Sequence, residues 1–240
     1  MLRMSFIALT LLWTFHLTIA QEKPEHPQNK VIPAVIKEPV LQALSHFPEL
    51  KETTIHFVFT DKLEKSIMAA RPTIGSLLKK RKNRTYKVLI NPAFKLGYDI
   101  ESINRIPDSV MIGWLGHELG HIMDYQQKSA WEIMGMGISY TLSRNYIRKA
   151  ERVADAHAVD RGMAGYLVTK KSFILNHSEL PQAYRDKIEA LYLSPEDIGK
   201  LVADITSEDA HEQEALLTDH EKEIYEGTVE THEESIPGIS

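Results

Sequence analysis

The sequence predicts an α+β fold in which a small β-sheet packs against a central helix and a second helix that follows it. Two short segments, at 54–60 and 85–91, alternate between apolar and polar residues as strands do. Most other apolar residues recur with helical spacing, and the longest such segment runs from about 108 to 128. The 240 residues, 43% of them hydrophobic, suit one domain with a buried core plus terminal tails.

The first twenty residues form a segment of a different kind. A short basic start is followed by an apolar run from Phe6 to Ala20, and a polar run begins at Gln21. This layout is typical of a secretory signal peptide, and the apolar run is shorter than the roughly 20 residues that a transmembrane helix needs. We therefore expect residues 1–20 to be cleaved and the protein to be exported, to a periplasm or as a secreted protein. An uncleaved N-terminal membrane anchor is the alternative.

Charge and composition divide the rest of the chain. Residues 206–240 contain eleven acids and one lysine, whereas residues 21–205 carry a net charge of about +4. We expect a linker at 21–36, since residues 21–30 are polar and include Pro24 and Pro27, then a single domain at 37–205 and an acidic, disordered tail at 206–240. The sequence has no cysteine, so packing and bound metal must hold an exported chain together without disulfides.

The first half of the predicted domain contains the two strands. A short helix is expected at 40–50, after Pro39, and the segment 62–76 fits either a helix broken at Pro72 or a loop. A basic cluster at 79–84 lacks interleaved aromatic residues, which favours a solvated loop over nucleic-acid binding. If the substrate is a peptide, it can pair in extended form with a free edge of the strand at 85–91.

The predicted central helix carries the motif His-Glu-x-x-His. His117 and His121 are four residues apart, so they lie on one face of the helix and can share a zinc ion. Glu118 stands next to them and can act on a water held by that ion. The same helix contains a stripe of glycines at 113, 116 and 120, each about 1 kcal/mol less favourable than alanine there. Such a stripe indicates that another helix approaches closely.

A second helix, predicted at 144–161 and stopped by Gly162, contains Glu151 and Asp155 on one face. Alanines at 150, 154 and 158 form a small-residue stripe beside them, which can pack against the glycines of the central helix. That packing would place Glu151 beside the two histidines. A catalytic zinc takes three protein ligands, and Glu151 completes that number; Asp155 can orient a ligand histidine. The alternative is an exposed Glu–Asp pair that contacts Arg148 or Arg152.

Other candidate ligands are weaker. Asp124 and Gln127 stand where the metzincin pattern requires Gly and His, Glu132 follows His121 too closely, and His157 points away from Glu151 around the helix. Catalysis at such a zinc site would also need a hydrogen-bond donor for the oxyanion of the tetrahedral intermediate. The sequence leaves four candidates open for that donor, each with a structural role as the alternative: His177, Tyr184, Arg185 and Tyr192.

Further helices are expected at 130–142, 180–193 and 194–205, the last capped by Ser194. The segment 130–142 is apolar but too short to span a membrane, so we expect a packed core helix, with contact to a membrane surface as the alternative. The stretches 165–171 and 173–175 are too short to assign.

His117-Glu118-Leu119-Gly120-His121 followed by Glu151-x-x-Ala154-Asp155 resembles the gluzincin zinc peptidases. It looks most like the branch of the prenyl-protein (CAAX) endopeptidases and heat-shock membrane peptidases, and like the soluble minimal gluzincins. The resemblance covers roughly residues 85–165 and implies a zincin-like fold. It also implies one zinc held by His117, His121 and Glu151, with Glu118 as the catalytic base and Asp155 orienting a histidine.

The expected function is zinc-dependent cleavage of a peptide or protein substrate. Two alternatives remain open: a zinc-binding scaffold of the same fold without activity, and a zinc amidase that acts on a non-protein substrate. A structural zinc site has no need of the base Glu118, which favours catalysis. If Glu151 lay far from both histidines, the enzymatic interpretation would be wrong.

Overall fold

The structure, a computed structural model, describes residues 29–63, 66–92, 106–176 and 182–208. The predicted signal peptide lies outside these residues, as does the predicted acidic tail beyond residue 208. The described chain is a mixed α+β protein with one small sheet and eight α-helices, which confirms the predicted class. Within the described ranges, no helix has the length and apolarity to cross a membrane.

The sheet has four strands in the spatial order β1-β2-β4-β3: β1 (Lys30–Val31), β2 (Thr54–Phe59), β3 (Met68–Pro72) and β4 (Thr85–Ile90). The first three in this order run parallel, and β3 is antiparallel to β4. Both predicted strands are confirmed as β2 and β4. Their alternating apolar residues are buried in the core: Ile55, Phe57, Tyr86, Val88 and Ile90.

Two strands were not expected from the sequence. β3 lies inside 62–76, for which a helix or a loop was expected. It has only five residues and few large apolar ones, so the alternation in its sequence is too weak to identify a strand. Its pairing with β4 shows it to be one. β1 lies inside the predicted linker. Residues 30–31 pair with β2, and Ile36 is 1% exposed, so the folded body begins before residue 37.

This topology corrects the expected docking strand. β4 lies between β2 and β3, so both of its edges are occupied and an extended peptide cannot pair with it. Among the described residues, β3 has an edge that no other strand pairs with, and this edge lies beside the central helix.

The helices are α1 (Lys37–Ser45), α2 (Ile74–Leu77), α3 (Asp108–Gln127), α4 (Ala130–Leu142), α5 (Arg144–Val159), α6 (Ala164–Asn176), α7 (Gln182–Leu191) and α8 (195–208). α3 is the central helix, in contact with α1, α5, α6 and β3, and it is buried without interruption from Val110 to Asp124. α6 joins the two stretches that were too short to assign.

Local signals set several helix ends as expected. α5 is followed by Gly162 in a left-handed conformation, with φ of 74°, and Met163 N–H donates to Ala158 O across the turn. Before α8, Ser194 Oγ accepts from Asp197 N–H at 3.0 Å. At the start of α3 the N-cap position is Pro107, with no side-chain cap, and Asp108 is the first residue of the helix.

The prediction that α4 is a packed core helix is wrong. Among its described side chains only Ile133 and Met136 are buried, whereas Trp131 is 77% and Leu142 80% exposed. Apolar residues occur around the whole helix, so composition could not show which face the protein covers. α4 packs mainly on α5.

Candidate metal centre

The structure brings His117, His121 and Glu151 together. Nε2 of His117 lies 3.0 Å from Oε2 of Glu151, and Nε2 of His121 lies 3.5 Å from the same oxygen. All three residues are buried, and one ligand atom from each lies within 4.8 Å of the others. The group can therefore hold a metal ion.

The approach of α5 to α3 depends on small residues at the contact. A Cβ built on Gly120 would lie 2.2 Å from the carbonyl oxygen of Ala154, a distance that no side chain tolerates. The predicted packing of the glycine stripe on the alanine stripe is thus confirmed at this position. Glu151 stands one turn before Ala154, so the same close contact carries its carboxylate to the histidines.

The other two glycines of the stripe admit a different element. A Cβ on Gly113 would lie 2.3 Å from Tyr166 O and 2.9 Å from Lys170 Cβ, both in α6, and one on Gly116 would lie 2.5 Å from Met163 Cε. The glycine stripe therefore allows α5 to approach α3 closely at Gly120, and allows α6 and the turn before it to approach at Gly113 and Gly116.

Asp155 holds the ring of His117. Its Oδ1 lies 2.8 Å from His117 Nδ1, and its Oδ2 accepts the N–H of Leu193 at 3.0 Å. Because a carboxylate only accepts, Nδ1 carries a hydrogen and donates it to Asp155. In a neutral His117 the lone pair of Nε2 then points at Glu151.

With this tautomer, the atoms that face one another at the centre are suited to bind a cation. The Nε2 lone pair of a neutral His117 and the Glu151 carboxylate are both acceptors, and two acceptors 3.0 Å apart require a proton or a metal ion between them. In His121 the nitrogen that faces Glu151 is Nε2, at 3.5 Å, and the buried Nδ1 has no hydrogen-bond partner among the described residues. The residues present thus fit a bound metal ion.

The pKa values of His117 and Glu151 in the metal-free cluster also show that a positive charge is favoured between these side chains. Burial lowers the pKa of His117 and the charge of Lys170 lowers it further, but the Asp155 and Glu151 carboxylates outweigh both and raise that pKa to about 9. Burial raises the pKa of Glu151, yet its hydrogen bonds to His117 and His121 hold it well below the usual value. Without a metal, a proton shared among these groups takes its place.

Glu118 lies beside the cluster and under the free edge of β3. Its Oε2 accepts the N–H of Ala70 at 2.5 Å, and Tyr125 Oη donates to Ala70 O at 3.3 Å. Both main-chain groups of Ala70 thus point away from β4. The sequence did not predict this contact, because β3 itself was not recognised.

Two more side chains at the centre were missed. Lys170 is 3% exposed; its Nζ lies 3.7 Å from Asp155 Oδ1 and 5.1 Å from the centroid of the Tyr192 ring. Its charge also helps to keep the pKa of Asp155 low against the effect of burial, which raises it. Tyr140 Oη donates to Glu151 Oε1 at 3.2 Å. The only sequence signal for Lys170 was Gly113, whose missing side chain leaves room for it.

The alternative ligands and pairings do not assemble. Glu151 and Asp155 are buried, and the arginines considered as their surface partners lie elsewhere: Arg152 pairs with Asp197, and Arg148 donates to Ala190 O. Glu132 caps its own helix through Ser129. His157 lies outside the cluster, and burial, the largest cause, lowers its pKa.

The oxyanion candidates separate by position. The Tyr192 ring lies 5.0 Å from the His117 ring, and burial raises the pKa of both Tyr192 and Tyr184, so their hydroxyls stay protonated. Arg185 donates to Gln182 on its own helix. His177 lies outside the described residues.

The chain was compared with models of known protein families, with curated proteins and with solved structures, and none of the three comparisons finds a match. The function is therefore inferred from the centre itself. Fold and centre together describe a mixed α+β protein with a buried cluster of two histidines and one glutamate that can hold a metal ion.

Proposed function

We propose that this protein is a zinc-dependent metallopeptidase of zincin-like fold, similar to the gluzincins, that hydrolyses peptide bonds. The observation that carries the proposal is the meeting of both histidine Nε2 atoms at a single oxygen of Glu151. Tetrahedral zinc, with bonds of roughly 2.0–2.2 Å, spaces neighbouring ligand atoms roughly 3.4 Å apart. The observed separations of 3.0 and 3.5 Å lie on either side of that value.

The chain supplies the other chemical roles. Zinc held by His117, His121 and Glu151 would provide a Lewis acid and lower the pKa of a coordinated water. Glu118 is the base: its carboxylate takes a proton from the attacking water and returns it to the leaving amine. Asp155 orients His117 and keeps its tautomer, and Tyr140 orients the Glu151 carboxylate through Oε1.

The substrate segment pairs with the free edge of β3. The hydrogen bonds of Ile67 and Thr73 go to the β4 side, so the main-chain groups of Met68, Ala70 and Pro72 face outward. A peptide that adds to this edge competes with Glu118 for the N–H of Ala70. Substrate binding would thereby release the carboxylate toward the centre.

One observation favours the scaffold alternative. Glu118 is 5% exposed and already tied to Ala70, as expected of a buried structural carboxylate. The two proposals predict different effects on activity when Glu118 is replaced by glutamine, which keeps the shape of the side chain but removes its charge.

The test compares Glu118→Gln with Glu151→Ala. A peptidase keeps its zinc in Glu118→Gln and loses at least about 100-fold in kcat/KM, because general base catalysis contributes that much or more. Glu151→Ala loses the metal itself, which elemental analysis of the purified protein measures. The matched control is Glu189→Gln, an exposed glutamate on α7, which should change neither.

Substrate profiling separates the remaining alternatives. The parent protein is incubated with a mixed peptide library and, separately, with cell-wall fragments, and products are identified by mass spectrometry. Cleavage confined to peptides supports the proposal. Products from wall fragments alone identify an amidase, and a zinc-loaded protein that cleaves neither is a scaffold.

Export stays part of the proposal. Cells that express the full chain should release or display a protein whose N-terminus begins near Gln21, which N-terminal sequencing detects. A chain that retains residues 1–20 in the membrane fraction would support the anchor alternative.

A further inference from the structure

Helix α4 turns an apolar face outward. The four residues of this face fall at i, i+3, i+7 and i+11, so they share one side of the helix. Their exposed fractions are large for apolar side chains: Trp131 77%, Met134 49%, Ile138 63% and Leu142 80%. The opposite side faces the protein, where Ile133 and Met136 are buried and Tyr140 reaches Glu151. Large apolar residues arranged in this way mark an interaction surface.

A second apolar segment lies in the connection between β3 and β4, which includes the four-residue helix α2 and is called here the loop 74–82. Ile74 is 93% and Leu78 85% exposed, and four exposed basic residues follow directly, Lys79 to Lys82. The whole segment 66–92 contains seven lysines and arginines and no acid. Apolar and cationic side chains are therefore presented by the same loop.

The loop is tied to the start of α4. Arg84 donates to the carbonyls of Tyr125 and Lys128, at 3.2 and 2.8 Å, immediately before α4 begins. Arg81 is close enough to act on Glu132: its charge helps to lower the pKa of that carboxyl, after the larger effect of the Ser129 hydrogen bonds. Glu132 is the only acid between residues 125 and 150, where four basic residues lie.

We propose that this apolar–basic surface, made of the outward face of α4 and the loop 74–82, binds the interface of an anionic phospholipid membrane. Apolar side chains enter the boundary between headgroups and acyl chains, and basic residues beside them bind the anionic headgroups. Trp131 suits that boundary, since its ring is amphipathic. The contact is peripheral and does not depend on whether the centre cleaves peptides.

Other occupants fit this surface less well. Nucleic acid is recognised by aromatic rings interleaved with basic residues, whereas this face is mostly aliphatic. A second copy would bring another set of basic residues to the same surface, which their charge opposes. Residues 209–240 match the charge of the loop, but their seven large apolar residues are interspersed with ten acids, which an apolar face such as that of α4 would have to accommodate.

The experiment measures binding of the full chain to vesicles. Vesicles of 30% phosphatidylglycerol in phosphatidylcholine should bind the protein at low salt, and binding should fall at high salt, because screening weakens exposed charge contacts. Lipids brominated on the acyl chain should quench Trp131. Trp114 is buried, with 4% of its surface exposed, so the lipids should quench it little. Subtracting the quenching measured for a Trp131→Phe variant removes the contribution of Trp13.

Variants separate the two parts of the surface. Replacing Lys79, Lys80 and Lys82 by glutamine should weaken partitioning on the order of 100-fold, since each cation near the surface contributes about fivefold. Ile138→Ser with Leu142→Ser should weaken it by about tenfold or more and abolish quenching of Trp131. The matched control, Lys200→Gln with Val202→Ser, replaces an exposed cation and an exposed valine on α8 and should change nothing.

Several results would overturn the proposal. Trp131 unquenched while the protein is vesicle-bound would show that another segment, such as residues 1–20, makes the contact. Equal binding to pure phosphatidylcholine would remove the role of the basic loop. A dimer that Ile138→Ser with Leu142→Ser dissociates would assign the face to a second copy. By contrast, stronger vesicle binding after deletion of 209–240 would support the membrane proposal, with the tail as a competitor for the same surface. Tighter binding to polyuridylate than to vesicles would assign it to nucleic acid.

Discussion

The helices α3 and α4 follow each other in the chain, and both are rich in apolar residues and glycine, yet they have opposite environments. α3 is buried from Val110 to Asp124 and includes two histidines and a glutamate in its interior. α4 leaves Trp131 and Leu142 mostly exposed. The more polar segment is thus inside, and the more apolar one faces outward.

The glycines of the two helices show the difference most directly. Each glycine of the α3 stripe, such as Gly120, would place a Cβ closer than 3.0 Å to a neighbouring element. Gly135 and Gly137 of α4 have nothing within 4 Å. Glycine in a helix therefore marks a close contact only where a neighbour is present, and in α4 it lowers helix stability with no packing in return.

The largest expected effect is that of Gly120→Ala. The new methyl would meet the Ala154 backbone at 2.2 Å, and a backbone cannot yield as a side chain can. We expect α5 to be displaced, zinc binding to be lost and stability to fall by about 3 kcal/mol or more. Thermal denaturation and metal analysis test this, and unchanged zinc affinity would show that α5 adjusts without moving Glu151.

A smaller effect is expected from Lys170→Met, which removes the cation that Gly113 admits. Asp155 would lose the partner at 3.7 Å that fixes the position of its carboxylate, so the ring of His117 would be less well oriented and zinc affinity should fall about 10- to 100-fold, as when outer partners of metal ligands are lost. Chelator competition measures the affinity, and the Co²⁺ spectrum reports the ligand geometry. Lys200→Met, an exposed lysine on α8, is the control. Equal affinities for both variants would leave Lys170 with a packing role alone.

The metal-free protein should lose stability as pH rises. The pKa of His117 is raised from 6.5 in the unfolded chain to about 9 in the folded one, so its stabilising charge is complete below about 6.5 and is lost as pH passes through 9. The melting temperature of chelator-treated protein should fall across this window, and the zinc-loaded protein should show a smaller change. His117→Gln should remove the slope, whereas a slope retained in that variant would assign it to other groups.

The smallest expected effect has the opposite sign. Gly137→Ala adds a methyl where nothing lies within 4 Å, so it should raise stability by up to about 1 kcal/mol through helix propensity. Urea denaturation measures it. A loss of stability would mean that α4 is in closer contact with the protein than its exposure indicates, and the comparison with α3 would weaken.

Much of the centre was predictable because its geometry is local. Helical spacing alone places His117 and His121 on one face with Glu118 beside them, and the same spacing pairs Glu151 with Asp155. The small residues at 120 and 154 further predicted that these two helices meet, because glycine is retained in a helix at a cost only where a neighbour needs the space. The strands β2 and β4 were recognised by alternation of period two.

The rest was decided by tertiary structure. Whether a strand is central or at an edge depends on which strands pair with it, so the free edge beside Glu118 belongs to β3 rather than to β4. Lys170 reaches Asp155 only because α6 crosses α3 at Gly113. Because apolar residues occur all around α4, the sequence does not predict which side of the helix the protein covers. Periodicity determines which residues share a face of an element, but only the packing of distant segments determines what that face contacts.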